Sequence, residues 1–131
     1  MPEFAMTLGW VIVYVDDPPA AAAFYERVFA MKLDFAFDTY AQLDTGATKL
    51  GFAAYALGED NFDGGVLRAD AGDKPRNVEL ALVHEDVDGA YAHALDAGCS
   101  ALAEPNDKPQ GQRVAYVRDP FGTLVELATP L

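Results

Sequence analysis

The chain holds one cysteine among 131 residues, which rules out an internal disulfide framework and a zinc site built from cysteines alone. Basic residues are also scarce. Nine Lys and Arg stand against 21 Asp and Glu, for a net charge of −12. That balance argues against nucleic acid and anionic lipid as partners and favours a neutral or cationic ligand, beside its plain effect on solubility. No apolar run approaches the roughly 20 residues that a membrane-spanning helix needs; Thr7–Val15 is typical of the longest. No signal peptide is visible, and with the low cysteine count a cytoplasmic location is expected. Met1–Ala5 reads as a remnant ahead of a native start at Met6.

What is present suits one compact domain, taken as residues 7–131: the chain is 51% hydrophobic and 23% charged, too apolar for a disordered chain. Leu8–Val15 is an apolar, β-branched run that reads as a buried strand. Asp17 then caps a helix, Pro18 fits its first position, and Phe24, Val28 and Phe29 form its buried side as far as Ala30. Leu33–Phe37, Tyr40–Asp44 and Lys49–Ala56 read as strands, and residues 57–76, rich in Gly and Asp, read as a linker or lid. The pattern restarts with strand Val78–His84 and a helix opened at Asp86, whose buried residues are Tyr91, Ala94, Leu95 and Ala97 and which Gly98 ends. Ala101–Ala103 reads as a short strand, Glu104–Gly111 as a loop, and Arg113–Arg118 and Thr123–Ala128 as strands around the Asp119–Gly122 turn.

An offset of 69 residues lays Asp17 on Asp86, Val11 on Leu80 and Val13 on Leu82. The order βαβββ thus occurs twice, in module one (about 7–56) and module two (about 77–129). The expected architecture is α+β, with paired βαβββ modules forming a curved half-barrel and the helices outside. Each half alone is small for an independent core.

The strand ending Val15-Asp-Asp, the Phe24-Tyr25 pair seven residues after Asp17, and the run Tyr116-Val-Arg-Asp-Pro-Phe-Gly-Thr-Leu-Val-Glu126-Leu together resemble the vicinal oxygen chelate superfamily. That superfamily includes glyoxalase I, extradiol dioxygenases and bleomycin-resistance proteins. The resemblance covers about residues 7–129 and implies the paired half-barrel fold and a homodimer. It also implies His or Glu metal ligands on the first and last strand of each half. Those first-strand places fall on Trp10 and Glu79, seven residues before Asp17 and Asp86, and the last strand of the second half supplies Glu126. The last strand of the first half holds no His, Cys, Asp or Glu, and the indole nitrogen of Trp10 only donates. The expectation is therefore no cofactor, with a divalent ion on Glu79 and Glu126 as the alternative.

Alternation puts Val11, Val13 and Val15 on one face and Trp10, Ile12 and Tyr14 on the other, with Glu79 on the matching face of the second half; the resemblance implies that Glu126 points into the same hollow. The ligand-binding set read from the sequence is Trp10, Tyr14, Phe52, Glu79, Arg113 and Glu126. The plainer reading makes Trp10 and Tyr14 core filler and pairs Glu126 with Arg113 or Arg118. Cys99 reads as a small buried hydrophobe, His84 as structural and His93 as surface, while Lys108 and Gln110–Arg113 read by default as a solvated loop, with contact to a ligand anion as the alternative.

Two functions follow. The first is capture of a small aromatic or cationic molecule without a metal, as in antibiotic sequestration. The second is a glyoxalase-like lyase or isomerase, or a dioxygenase, in which Glu79 and Glu126 hold a metal or act as acid and base.

Overall fold

A computed structural model describes residues 3–69 and 74–131. The first two residues of the expected remnant and residues 70–73 of the expected linker lie outside them. The chain divides into two compact units, Met1–Arg68 and Ala69–Leu131.

Unit one runs β1 (Trp10–Val15), α1 (Pro18–Phe29), β2 (Lys32–Ala36), β3 (Tyr40–Asp44), β4 (Lys49–Ala54) and α2 (Tyr55–Asn61). Its sheet has the order β1-β4-β3-β2, with β1 parallel to β4 and the other pairs antiparallel. Unit two runs β5 (Glu79–Val83), α3 (Val87–Asp96), β6 (Ser100–Asp107), β7 (Arg113–Arg118) and β8 (Leu124–Ala128), with the corresponding order β5-β8-β7-β6. The repeat read from the sequence is present in the topology, and each unit is a four-stranded mixed sheet of α+β type.

The same local chemistry starts the long helix of each unit. The Asp17 carboxylate accepts the Ala20 amide at 3.1 Å, and the Asp86 carboxylate accepts the Gly89 amide at 2.9 Å. Each cap satisfies one of the amides that a helix leaves free at its start. His84 contributes to the second turn, its Nδ1 accepting the Asp86 amide at 2.9 Å. Gly98 holds φ +113° just beyond α3, as its place in the sequence suggests.

The core of unit one lies between α1 and its sheet. Tyr25, Phe52 and Leu43 are fully buried there, with the Tyr25 and Phe52 ring centroids 5.0 Å apart. Tyr25, rather than Phe29, is the second large ring that α1 buries; Phe29 is half-buried and packs edge-on against Tyr25 and Phe24. In unit two Val87 and Ala94 of α3 pack toward Val117, Val125 and Leu127, while Tyr91, Leu95 and Ala97 remain half-buried.

Two segments differ from expectation. Tyr55–Asn61 is a helix, not the end of a strand and the start of a linker. It has under two full turns, no side-chain cap and an internal glycine, so it carries no readable helical signature. Gly58 is needed there: a Cβ would sit 2.9 Å from the Tyr14 ring, which packs onto this helix and faces Tyr55 at 6.5 Å. The second segment is β6, which continues through Glu104, Pro105 and Asn106 to Asp107 where a loop was expected. Pro105 is tolerated because β6 is the edge of its sheet and shifts register between Ala103 and Asn106.

Candidate functional site

Pairing register assigns every strand residue to a face. In unit one Val13 lies beside Phe52 and Phe52 beside Ala41, all on the side covered by α1. The opposite face is open at its Trp10 end and covered by α2 around Tyr14 and Ala53. It carries the rows Trp10–Lys49–Asp44, Ile12–Gly51–Gln42 and Tyr14–Ala53–Tyr40. Trp10 is 56% exposed and Ile12 46%, so the apolar part of this face is in water.

A polar network holds the Trp10 ring. Its indole N–H donates to Gln42 Oε1 at 2.9 Å, and the Tyr40 hydroxyl donates to the same oxygen at 3.0 Å. Gln42 Nε2 donates to Asp34 at 3.1 Å, and Lys49 Nζ lies 3.2 Å from Asp34 and 3.3 Å from Asp44. The hydrogen bond from Gln42, aided by Lys49, holds the Asp34 carboxyl below its usual range. The Gly46 amide and then Lys49 do the same for Asp44, and Lys49 is correspondingly raised, first by its bond to Asp34. Partial burial pushes the Tyr40 phenol up.

In unit two the open face carries the rows Glu79–Leu124–Arg118 and Ala81–Glu126–Tyr116. Glu79 and Glu126 are diagonal neighbours on adjacent parallel strands, and Glu126 is hydrogen-bonded to both Glu79 and Tyr116. Glu79 is exposed as a whole residue, but its carboxyl is crowded. Desolvation first, then the bond to Glu126 and that neighbour's negative charge, raise its proton affinity. The Tyr116 phenol is raised by burial and by both carboxylates. A hydrogen bond between two carboxyls needs a proton on one of them, and the raised Glu79 carboxyl is the one inclined to keep it.

The register therefore brings Glu79 and Glu126 together and places Trp10 and Tyr14 on the face of unit one opposite α1, with Trp10 exposed and Tyr14 packed onto α2. Two residues of the expected ligand set lie elsewhere. Phe52 is fully buried under α1 against Tyr25, because β4 turns that side chain toward the helix. Arg113 faces the helix side of its sheet, where its guanidinium bonds Asp88 of α3 at 3.0 and 3.2 Å and Asp107 of β6 at 3.1 Å. Glu126 accordingly bonds Glu79 and Tyr116, not Arg113. Lys108 closes the hairpin between β6 and β7 through its amide and carbonyl, and Cys99 is buried, with its thiol pushed up to about 11 by burial. Sequence reasoning passed over Gln42, Tyr40, Asp34 and Lys49. The alternation of Tyr40, Gln42 and Asp44 against Ala41 and Leu43 is the one signal that points to them.

The two units place different chemistry at matching positions. Trp10 stands where unit two has Glu79, Gln42 where it has Tyr116, and Gly51 where it has Glu126. A Cβ at Gly51 would lie 2.4 Å from the Tyr40 hydroxyl, so the Tyr40 ring fills the space a longer side chain would need. Of the four positions at which the resembled enzymes carry ligands, unit one therefore offers an indole donor and a glycine. Unit two offers two carboxyls already bonded to one another. Among the described residues no group of three or more His, Cys, Asp or Glu is arranged to hold a metal. This donor set does not fit a Zn²⁺ or Fe²⁺ centre. Among those residues, too, no helix is long and apolar enough to cross a membrane.

The fold is shared with known structures. A glyoxalase-related enzyme from Fulvimarina pelagi superposes with a TM-score of 0.80 at 22% identity, over 96% of this chain and 89% of that one. A glyoxalase/bleomycin resistance protein/dioxygenase family enzyme from Burkholderia phytofirmans PsJN gives 0.79 at 21% identity, over 96% and 100%. By sequence, the glyoxylase candidate CFP32 of Mycobacterium bovis is 27% identical over 124 residues, covering 95% of this chain. The chain spans less than half the length of that relative, 44%. The model of the Glyoxalase/Bleomycin resistance protein/Dioxygenase superfamily matches residues 7–127, and the chain belongs to that superfamily.

Proposed function

We propose that the chain binds a small, flat, aromatic or cationic molecule by stacking it on Trp10, without a metal ion. The observation that carries this reading is an exposed indole, 56% open to water, whose edge is fixed by a hydrogen bond to Gln42. A large exposed ring held in one orientation is a stacking platform. Its face offers a cation about 0.5–2 kcal/mol. The surrounding Asp34, Asp44 and Lys49 sum to one negative charge, and the whole chain carries −12, so a cation is favoured over an anion.

Trp10 is the only tryptophan, so its emission reports directly on this site. Titration with an acridinium dye as a planar cation should quench it saturably, and Trp10→Phe should remove the signal while leaving weaker binding detectable by dye polarisation. Binding should be unchanged after dialysis against EDTA. Absence of saturable quenching across planar cations and neutral aromatics, or a divalent metal retained stoichiometrically and needed for binding, would overturn the proposal.

A second reading rests on a different observation, the bonded Glu79–Glu126 pair with Tyr116 beside it. A carboxyl with raised proton affinity next to a second carboxyl suits proton transfer at a carbon beside a carbonyl, which agrees with the glyoxalase part of the superfamily description. Turnover of α-ketoaldehyde hemithioacetals that is lost in Glu79→Gln and Glu126→Gln would favour it.

A further inference from the structure

We infer that Gln42 is the positioning residue of the Trp10 site: it fixes the plane in which the indole meets a ligand. The inference rests on the stacking function proposed above and adds to it a second residue with a separate role.

The chemistry of its neighbours determines how Gln42 is oriented. An indole nitrogen only donates, so it must meet the amide oxygen; a carboxylate only accepts, so Asp34 must meet the amide NH₂. The distances of 2.9 Å to Trp10 and 3.1 Å to Asp34 fit that assignment. The Tyr40 hydroxyl takes the second lone pair of the oxygen at 3.0 Å. Asp34 is in turn held by Lys49 at 3.2 Å. Gln42 is thus fastened at both ends, and a side chain with three rotatable bonds behaves as a rigid clamp. Gly51 makes the arrangement possible, because only a residue without a Cβ lets the Tyr40 hydroxyl lie where it reaches Gln42.

An exposed indole without such a partner samples several χ1 and χ2 wells and loses that freedom on binding. Ordering one such side chain typically costs about 0.5–1.5 kcal/mol, or roughly two- to tenfold in affinity. The clamp removes that cost in advance, so losing it should weaken stacking ligands without removing any atom that touches them.

The test uses the full chain and two readouts. Time-resolved anisotropy of Trp10 should show only overall tumbling in the parent chain. Gln42→Leu keeps the bulk and removes all three bonds, and should add a subnanosecond component. Acridinium affinity, measured well below the unfolding midpoint of the variant, should fall by about three- to tenfold. Tyr40→Phe, which leaves the Trp10–Gln42 bond in place, should retain the slow decay; Asp34→Asn should shift both readouts in the direction of Gln42→Leu but less, and serves if Gln42→Leu does not fold. Unchanged anisotropy in Gln42→Leu would overturn the clamp, whatever the dye does. Added mobility with unchanged affinity would overturn the positioning role while leaving the stacking function intact. A parent chain that binds no planar probe would remove that function and the positioning role with it, yet the anisotropy would still show whether the bond holds the ring.

Discussion

Gly51 and Tyr40 offer a test of the open face in which one substitution should change sign with its neighbour. Gly51 lies in β4 with ordinary extended backbone, so alanine meets no conformational strain there. Replacing Gly by Ala at a compatible position usually stabilises by about 0.4–1 kcal/mol, because the unfolded chain loses freedom. Here the added Cβ would sit 2.4 Å from the Tyr40 hydroxyl and 2.8 Å from two ring carbons. The ring must swing away by about an ångström to reach ordinary contact, and its bond to Gln42 breaks. Overpacking of this kind costs about 1–3 kcal/mol and a lost hydrogen bond about 0.5–1.5. Because the ring can move toward solvent, the lower part of those ranges applies. Gly51→Ala should therefore destabilise by about 1–2 kcal/mol net. In a Tyr40→Ala background the obstacle is gone, and the same change should stabilise by about 0.5 kcal/mol. The double-mutant cycle then yields a coupling near 2 kcal/mol, read from urea unfolding of the four proteins followed by Trp10 emission. Equal effects of Gly51→Ala in both backgrounds would refute the packing described here and, with it, the reason a glycine stands at this position.

Phe52→Ala should cost about 3–5 kcal/mol in the same urea experiment, since the ring is fully buried against Tyr25; a cost below 1 kcal/mol would return Phe52 to the open face. Glu79 should make stability fall with rising pH. Its folded carboxyl keeps a proton that the unfolded chain releases near 4.5, so stability declines from that pH through the raised value and stays lower above it. Glu79→Gln should flatten that decline and raise the melting midpoint at pH 7, and an unaltered pH profile would refute the raised Glu79 carboxyl. The Cys99 thiol, buried and pushed up to about 11, should react with a disulfide reagent at pH 8 only after unfolding.

The sequence made some of this structure legible and hid the rest for physical reasons. Asp17 and Asp86 could be read because a cap is a local device: the carboxylate bonds an amide three residues on, whatever the rest of the fold does. Glu79 could be placed because alternation in β5 is clean and a glutamate in an apolar strand stands out, whereas the placement of Glu126 on the matching face comes from the family resemblance. Phe52 could not be placed that way. All of Leu50–Ala53 is buried, so composition along β4 carries no alternation, and only pairing with Val13 and Ala41 shows that the ring faces α1. For β6 the misleading cue was Pro105, whose meaning depends on whether the strand is an edge, a property of the assembled sheet.

Gln42 illustrates the deeper limit. A lone glutamine carries no charge, no metal preference and no motif, so nothing in its own chemistry nominates it. Its role comes from three partners on three other elements or rows: Trp10 on β1, Tyr40 two residues back on β3, and Asp34 on β2. Each is a common residue, and the meaning lies in their convergence on one amide. The same strand framework in unit two converges on Glu126, where Glu79 and Tyr116 meet a carboxylate instead. The two meeting points are not equivalent positions: Gln42 matches Tyr116 and Glu126 matches Gly51, so the repeat keeps the rows while the point of convergence moves one strand over and changes from a carboxylate to an amide. A reading that follows metal-ligand residue types sees two positions lost in unit one. The pairing rows show what stands there instead: an exposed indole and a glycine, with Gln42, Tyr40 and Asp34 bonded in a chain behind the indole.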